Sequence, residues 1–236
     1  MQINVCLTPS EYVIEQYRDW NAVVIDVFRA TSSMAAAFAN KCATVIPVET
    51  VEEALQKKQT QPDVLLAGER NALKVNGFDL GNSPLEFTAD AVRDKTIIMS
   101  TTNGTVALVK AAESAAVYTA AFVNAAAVCR TLREHSRDTV LICAGRKGEF
   151  ALEDALCAGL LADRLADLAV LSDSAQFTRS AYREVSPKLL QRVSESRHAR
   201  YLSEIGLGED VAWCLQYDIF DVVPCFSKGK VRVVPG

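Results

Sequence analysis

The sequence has little of what a nucleic-acid, membrane or zinc protein needs. It contains no run of basic residues, and its 25 lysines and arginines are outnumbered by 29 aspartates and glutamates, for a net charge of -4. The positive stripe required for nonspecific nucleic-acid binding is therefore missing. Small anions stay open, because a few converging cations and helix N-termini hold them whatever the net charge. No segment reaches the ~18 apolar residues of a membrane span. The opening MQINVCLTPSEY has neither the cationic start nor the apolar run of a leader. The two histidines, His135 and His198, are far apart, and the seven cysteines form no CxxC pair, which removes the usual zinc sets. Cysteines in apolar settings such as VLICAG and DALCAGLL read as buried free thiols of a reducing compartment, so the expected location is the cytoplasm. GxxxxGK[ST] and GxGxxG are absent, leaving nucleotide binding without a motif; GxSxG is absent too, which weakens a serine-hydrolase reading.

What is present is a chain of 236 residues, 50% hydrophobic, enough for a substantial core. Short Val/Ile-rich runs alternate with longer Ala/Leu-rich ones, the pattern of an α/β protein. Strands are expected at 3–7, 22–27, 43–48, 64–68, 96–101, 116–120 and 139–144, and helices at 31–40, 50–58, 84–93, 104–113, 123–135 and 151–169. Most of these strands lack strict alternation, which predicts a largely parallel or mixed central sheet with helices on both faces. From about 173 to 217 the chain reads as several short helices, a more helical C-terminal third, before strand-like IFDVVPCF and VRVV. No low-complexity linker divides it, so one domain over 1–236 is expected.

Three times a strand runs into a polar or glycine-bearing turn and then a helix, and in an open α/β sheet such loops share one crevice at the C-terminal strand ends. In IDVFRATSSM, Asp26 ends an apolar strand, where an unpaired carboxylate is costly. Arg29 or a metal ion could neutralise it, and a carboxylate so placed suits Mg2+. Thr31, Ser32 and Ser33 offer hydroxyls and helix-terminal N–H groups to an anion, or simply cap the helix. In MSTTNGTVAL, Ser100, Thr101, Thr102, Asn103 and Thr105 surround Gly104, a donor-rich setting for an oxyanion or an ordinary turn and cap.

The segment AGERNALKVNGFDLGNSP (67–84) packs Glu69, Arg70, Lys74, Asp79 and Asn82 among three glycines, with Ser83 as the expected N-cap ahead of Pro84. In AGRKGEFALEDALCAG, Arg146 and Lys147 sit between Gly145 and Gly148, and Glu153 and Asp154 open a helix. Those acids suit a helix N-terminus electrostatically, or complete a metal site. Carboxylates for a hard cation, cations for an anion and a set of hydroxyl and N–H donors together are what phosphoryl transfer to water asks for. None of the four loops carries a histidine, which argues against a phosphohistidine route.

IDVFRATSSM, AGERNALKVNGFDLGNSPLEF, TTNGTVAL, FVNAAAV and CAGRKGEFALEDALCAGLL, in this order, resemble the 2-phosphosulfolactate phosphatase family of coenzyme M biosynthesis. The likeness runs from about 22 to 165 and more loosely through IGLGEDVAWCLQYDIFDVVP. It implies an α/β, magnesium-dependent acid phosphatase releasing phosphate from (2R)-2-phospho-3-sulfolactate to give (2R)-3-sulfolactate.

By that resemblance Asp26, Arg29, Glu69 and Arg70 are catalytic. Asp26, Glu69, Asp79, Glu153 and Asp154 are the metal candidates. Thr31, Ser32, Ser33, Lys74, Asn82, Thr101, Thr102, Asn103, Gly104, Thr105, Arg146 and Lys147 would meet a small anionic phosphate ester. The chain departs from the pattern at Ala72, where the family has glycine, and at Lys41 and Cys42, where it has a glycine-alanine pair. An alanine at 72 resists a positive φ, so a shifted loop is expected there. Attack by water and attack by Asp26 both stay open, though the absence of a DxDx pattern weakens the second. So do a different small phospho-acid as substrate, a noncatalytic binder of the same anions, and a homo-oligomeric state.

Overall fold

The computed structural model describes residues 1–233; Val234, the last residue of VRVV, and the end of the expected domain lie outside them. Eleven strands form one sheet: β1 (Gln2–Cys6), β2 (Asn21–Ile25), β3 (Thr44–Val48), β4 (Leu65–Arg70), β5 (Leu73–Lys74), β6 (Thr96–Ser100), β7 (Ala116–Ala120), β8 (Thr139–Cys143), β9 (Val170–Leu171), β10 (Pro224–Ser227) and β11 (Lys230–Val233). The helices are α1 (Ile14–Tyr17), α2 (Ala30–Ala39), α3 (Val51–Thr60), α4 (Ala89–Val92), α5 (Gly104–Lys110), α6 (Ala125–His135) and α7 (Leu152–Leu165). In the C-terminal region follow α8 (Asp173–Val185), α9 (Leu189–Ser194), α10 (Arg197–Glu204) and α11 (Gly208–Cys214).

The sheet is mixed. Its spatial order is β5-β4-β6-β3-β11-β10-β7-β2-β8-β1-β9. One parallel group, β4-β6-β3, is joined to a second, β7-β2-β8-β1-β9, by the antiparallel β10–β11 hairpin. Every residue of β2, β3 and β8 is buried, which is why these strands read as unbroken apolar runs. Helices cover both faces. Met34 and Phe38 of α2 and Leu108 of α5 pack with Val24, Val45 and Met99 on one side. Helices α6 to α8, α10 and α11 cover the second group's other face, and α3 covers the first group's.

Three successive antiparallel pairings separate β3 from β7, so the two parallel groups run in opposite directions. Five inter-strand steps lie between β6 and β2, and at roughly 20–25° of twist each they turn about 100–125°. The loops after β4 and β6 meet those after β2 and β8 in one crevice, as a twist of that size allows.

Two expected helices start differently. The segment 84–93 divides into a 3-10 turn (Pro84–Glu86) and α4, because the Thr88 hydroxyl accepts from Ala91 N–H and begins a new helix. Residues Phe122–Asn124 form a 3-10 turn ahead of α6. The short strands β5 and β9, of two residues each, are too brief to leave a periodic signal.

Candidate active site

The crevice is lined by Asp26, Phe28 and Arg29 after β2, by Glu69, Asn71, Ala72 and Asn82 from the 67–84 segment, and by Thr102 and Asn103 after β6. Arg146 and Lys147 after β8 and His198 and Tyr201 of α10 complete it. Its free space is about 40 Å³, room for a few waters. A phosphate ester enters only if the rim yields.

Asp26 sits at the bottom, 4% exposed. Its nearest hydrogen-bond donor is the Ala30 N–H, at 3.4 Å. Burial pushes its carboxyl up to about 7; Glu69 and Glu153 add to the rise, while His198 and the Ala30 N–H oppose it. Gly104 permits this closeness. A Cβ there would lie 2.6 Å from both Asp26 Oδ2 and the Ala30 Cβ.

Arg29 does not pair with Asp26. Its Nη1 donates to Asp210 Oδ2 at 2.6 Å, and its Nη2 to the Ala72 carbonyl. Asp210, buried in α11, also accepts from Ser83 Oγ at 2.6 Å, so Ser83 makes no side-chain cap bond. This one carboxylate ties the C-terminal helices to two crevice loops.

Most of the hydroxyls singled out above hold the loops in place. Thr31 Oγ1 donates to Asp26 O, Ser32 Oγ to Val27 O and Ser33 Oγ to Asn82 O, each at 2.8 Å. Thr101 and Thr105 bond to each other's backbone and side chains. All five are buried, and none lines the crevice.

Arg70 turns toward the strand ends. Its guanidinium donates to Glu69 O, Ser100 O, Ser100 Oγ and Glu49 O. Asp79 accepts from Leu66 N–H and faces Lys58, and Lys74 Nζ donates to Asp79 O. Arg70, Asp79 and Lys74 lie outside the lining, and Asp79 and Lys74 are exposed; each has a structural partner that the spacing did not reveal.

Glu69 accepts from Thr102 N–H at 2.8 Å and Ala72 N–H at 2.7 Å, which fixes it between two walls. Asp154 accepts from Val27 N–H and Gly145 N–H and so bridges the β2 and β8 loops. Burial, Glu153 and Asp26 push its carboxyl upward against those two donors. Three buried oxygens near the site have no hydrogen-bond partner: Asn82 Oδ1, Thr102 Oγ1 and Glu153 Oε2.

His198 is the main addition that sequence reasoning missed. Its Nδ1 lies 2.7 Å from Glu153 Oε1, and its ring packs edge-on against Phe28. The absence of histidine from the four loops therefore does not make the site histidine-free. With Nδ1 turned to Glu153, Nε2 is the ring's other polar atom. Tyr201, Asn71 and Asp210 were likewise not singled out. Tyr201 OH donates to Asn71 O at 2.9 Å, and Arg146 lies over the Tyr201 ring. For Asp210 the signal was its place in the stretch IGLGEDVAWC, as one of two acids in the first turn of α11.

Ala72 takes the positive φ that glycine would take. Asn71 and Ala72 have φ of 53° and 65°, the two-residue turn of the β4–β5 hairpin. The alanine therefore bears a strain that glycine would not. Lys41, the other departure, has φ 67° just past the α2 cap.

A profile of the family described as 2-phosphosulpholactate phosphatase matches residues 6–229. The chain belongs to this family. A protein of Clostridium beijerinckii named "Probable 2-phosphosulfolactate phosphatase" is 38% identical over 236 residues, covering 98% of this chain and 99% of the relative. Proteins of the same name from Caldanaerobacter subterraneus and Pseudothermotoga lettingae are 41% and 42% identical, with 91% and 88% of this chain and 91% and 90% of those relatives covered.

Among the described residues no three His, Cys, Asp or Glu side chains converge as a metal cage. Mg2+ needs none, since it is commonly held by one or two carboxylates, its waters and the substrate's phosphate. The donor set fits such an ion. Asp26 and Glu69 share the crevice, Asn82 Oδ1 lacks a partner, and Arg29, the nearest cation in sequence, is taken by Asp210. No described helix is long and apolar enough to cross a membrane.

Proposed function

We propose that the protein is a Mg2+-dependent phosphatase that hydrolyses 2-phospho-3-sulfolactate to 3-sulfolactate and phosphate. Family membership supports the hydrolase chemistry. The observation that carries the metal reading is the Asp26 carboxyl, 4% exposed, in one crevice with Glu69 and in no ion pair among the described residues.

Asp26 and Glu69, with the Asn82 carbonyl, would hold the ion. When bound it would offset charge on the phosphate's nonbridging oxygens and acidify water. The Thr102 hydroxyl, buried and unpartnered, is free to donate to a phosphate oxygen. Water attacks phosphorus opposite the ester oxygen, the P–O bond to C2 breaks, the alkoxide oxygen takes a proton, and the phosphate, which carries both protons of the water, returns one to the donor. His198 supplies the alkoxide's proton from Nε2, with Glu153 on Nδ1 holding the ring in place. The seven unpaired cysteines suit the reducing cytoplasm.

Phosphate release is measured from 2-phospho-3-sulfolactate, phospholactate and an aryl phosphate, with Mg2+ and with EDTA. Turnover of the sulfonated ester that is lost in EDTA is the expected result. Activity on only the other two keeps the chemistry and discards the substrate. Ligand binding that persists in EDTA, without turnover of any ester in Mg2+, would instead indicate a noncatalytic binder.

A further inference from the structure

We infer that Arg146 and Lys147 form the subsite for the substrate's sulfonate and so decide which phosphate ester the crevice prefers. The inference rests on the phosphatase reading above and assigns its specificity to two residues.

Of the arginines and lysines that line the crevice, Arg29, Arg146 and Lys147, only the two of one loop are unpaired among the described residues. Arg29 is 3% exposed and bound to Asp210 at 2.6 Å. Arg70 is spent on Glu69, Ser100 and Glu49, and Lys74 lies outside the lining. Among the described residues neither Arg146 nor Lys147 comes within ion-pair distance of a carboxylate. Arg146 lies over the Tyr201 ring, its guanidinium carbon 4.7 Å from the centroid, and among the described residues its guanidinium N–H groups donate to no oxygen, which leaves them for an oxyanion. Lys147 Nζ bonds only a neutral oxygen, Asn71 Oδ1, at 3.0 Å. An anion in that place gives a stronger, charge-assisted bond. The exchange would also release one of the contacts that hold the Asn71–Ala72 turn over the crevice.

The loop is braced, so the two charges are held at the rim. Arg146 and Glu149 exchange backbone hydrogen bonds at 2.9 and 3.0 Å. Gly145 N–H donates to Asp154, and Lys147 N–H to Asn103 Oδ1. The turn requires glycine at 145, where φ is 66° and a Cβ would stand 2.3 Å from Glu149 O.

Charge separates the substrate's groups. The floor carries Asp26 and Glu69 and accepts an anion only together with a cation. The carboxylate of 2-phospho-3-sulfolactate is on the carbon that bears the phosphate oxygen, so it stays near the floor. The sulfonate is one methylene further out, stays ionised and has three oxygens to share between two cations.

The test compares kcat/KM for 2-phospho-3-sulfolactate and for phospholactate, which lacks only the sulfonate, in wild type, Arg146→Gln, Lys147→Gln and the charge-keeping Lys147→Arg, all with Mg2+. The expected result is a preference for the sulfonated ester that falls roughly tenfold or more in each Gln variant, mainly through KM, and is largely restored in Lys147→Arg. Matching melting temperatures check that the variants fold. Wild-type turnover with the same preference in all the variants, or an equal loss on both esters, overturns the inference alone. No phosphate release by wild type from either ester overturns the phosphatase reading and this inference with it.

Discussion

Arg29 and Arg146 both line the crevice, yet Arg29 is enclosed and paired with Asp210 at 2.6 Å, while Arg146 lies half-exposed over Tyr201 with no carboxylate partner among the described residues. The floor, with Asp26, Arg29 and Glu69, is buried and held by bonds to neighbouring loops. The rim, with Asn71, Arg146, Lys147 and Tyr201, is exposed or half-buried. Its carboxylates set the floor further apart. Burial raises Asp26 to about 7 and pushes Asp154 upward. On the outer surface, Asp163 and Asp218 are lowered overall, their partial burial outweighed by hydrogen bonds from Arg179 and Arg183 and from Arg164. The outer pairs are at ease when ionised, whereas the floor is strained until something cationic arrives.

The sharpest way to break this comparison is Asp26→Asn. Turnover is expected to fall by about a thousandfold or more, while the metal-free protein becomes more stable at pH 8 by about 2–4 kcal/mol. The sign follows from the raised carboxyl. Between about 4 and 7 the folded state keeps a proton that the unfolded state has lost, so stability declines as pH rises through that window. Thermal melting of chelated protein from pH 5 to 8 should show the decline in wild type and a flatter profile in the variant. At the acid end the direction of the pH dependence reverses in both proteins, because Asp163 and Asp218 stabilise above the ordinary carboxylate range and lose that contribution as pH falls through their lowered values. An equally steep decline in both proteins would mean that Asp26 is not the strained group.

Asp210→Ala tests the floor from beneath. It leaves Arg29 buried without its partner and Ser83 without its acceptor, at an expected cost of about 3–5 kcal/mol in urea unfolding. A loss under about 1 kcal/mol would show that the floor tolerates an unpaired charge and is not locked. Gly104→Ala is expected to cost less, about 1–3 kcal/mol, since the added methyl meets Asp26 and Ala30 at 2.6 Å. It should also depress turnover by moving Asp26, read as a fall in kcat larger than any change in KM.

The floor's strand-borne half was legible because strands buried on both faces leave apolar runs, and Asp26 and Glu69 interrupt such runs. The mixed sheet with helices on both faces and a helical C-terminal region follows from the same pattern. What the pattern could not show was which polar residues would be spent. Thr31, Ser32, Ser33, Thr101, Thr105 and Arg70 look like donors to an anion, and each instead bonds the backbone of its own or a neighbouring loop. Nor could it show His198, Tyr201 and Asp210. They arrive from helices over a hundred residues beyond Glu69, and amphipathic spacing orients a helix without saying what its polar face meets.

The smallest effect is expected at the hinge between floor and rim, in Ala72→Gly. Ala72 has φ 65° in a turn whose other residue, Asn71, has φ 53°, and Asn-Gly is the preferred pair for such a turn. Relieving a left-handed alanine is worth about 1–2 kcal/mol, from which about 0.4–1 kcal/mol is lost to the freer unfolded chain. The net expectation is a gain of about 0.5–1 kcal/mol in chemical denaturation. A loss would mean that the turn does not hold Ala72 left-handed. The Ala72 N–H bonds Glu69 and its carbonyl accepts from Arg29, so the backbone groups that reach the floor survive the change. A turn eased in this way should stabilise the fold without altering the preference set at the rim, which separates strain in the hinge from the charge that selects the substrate.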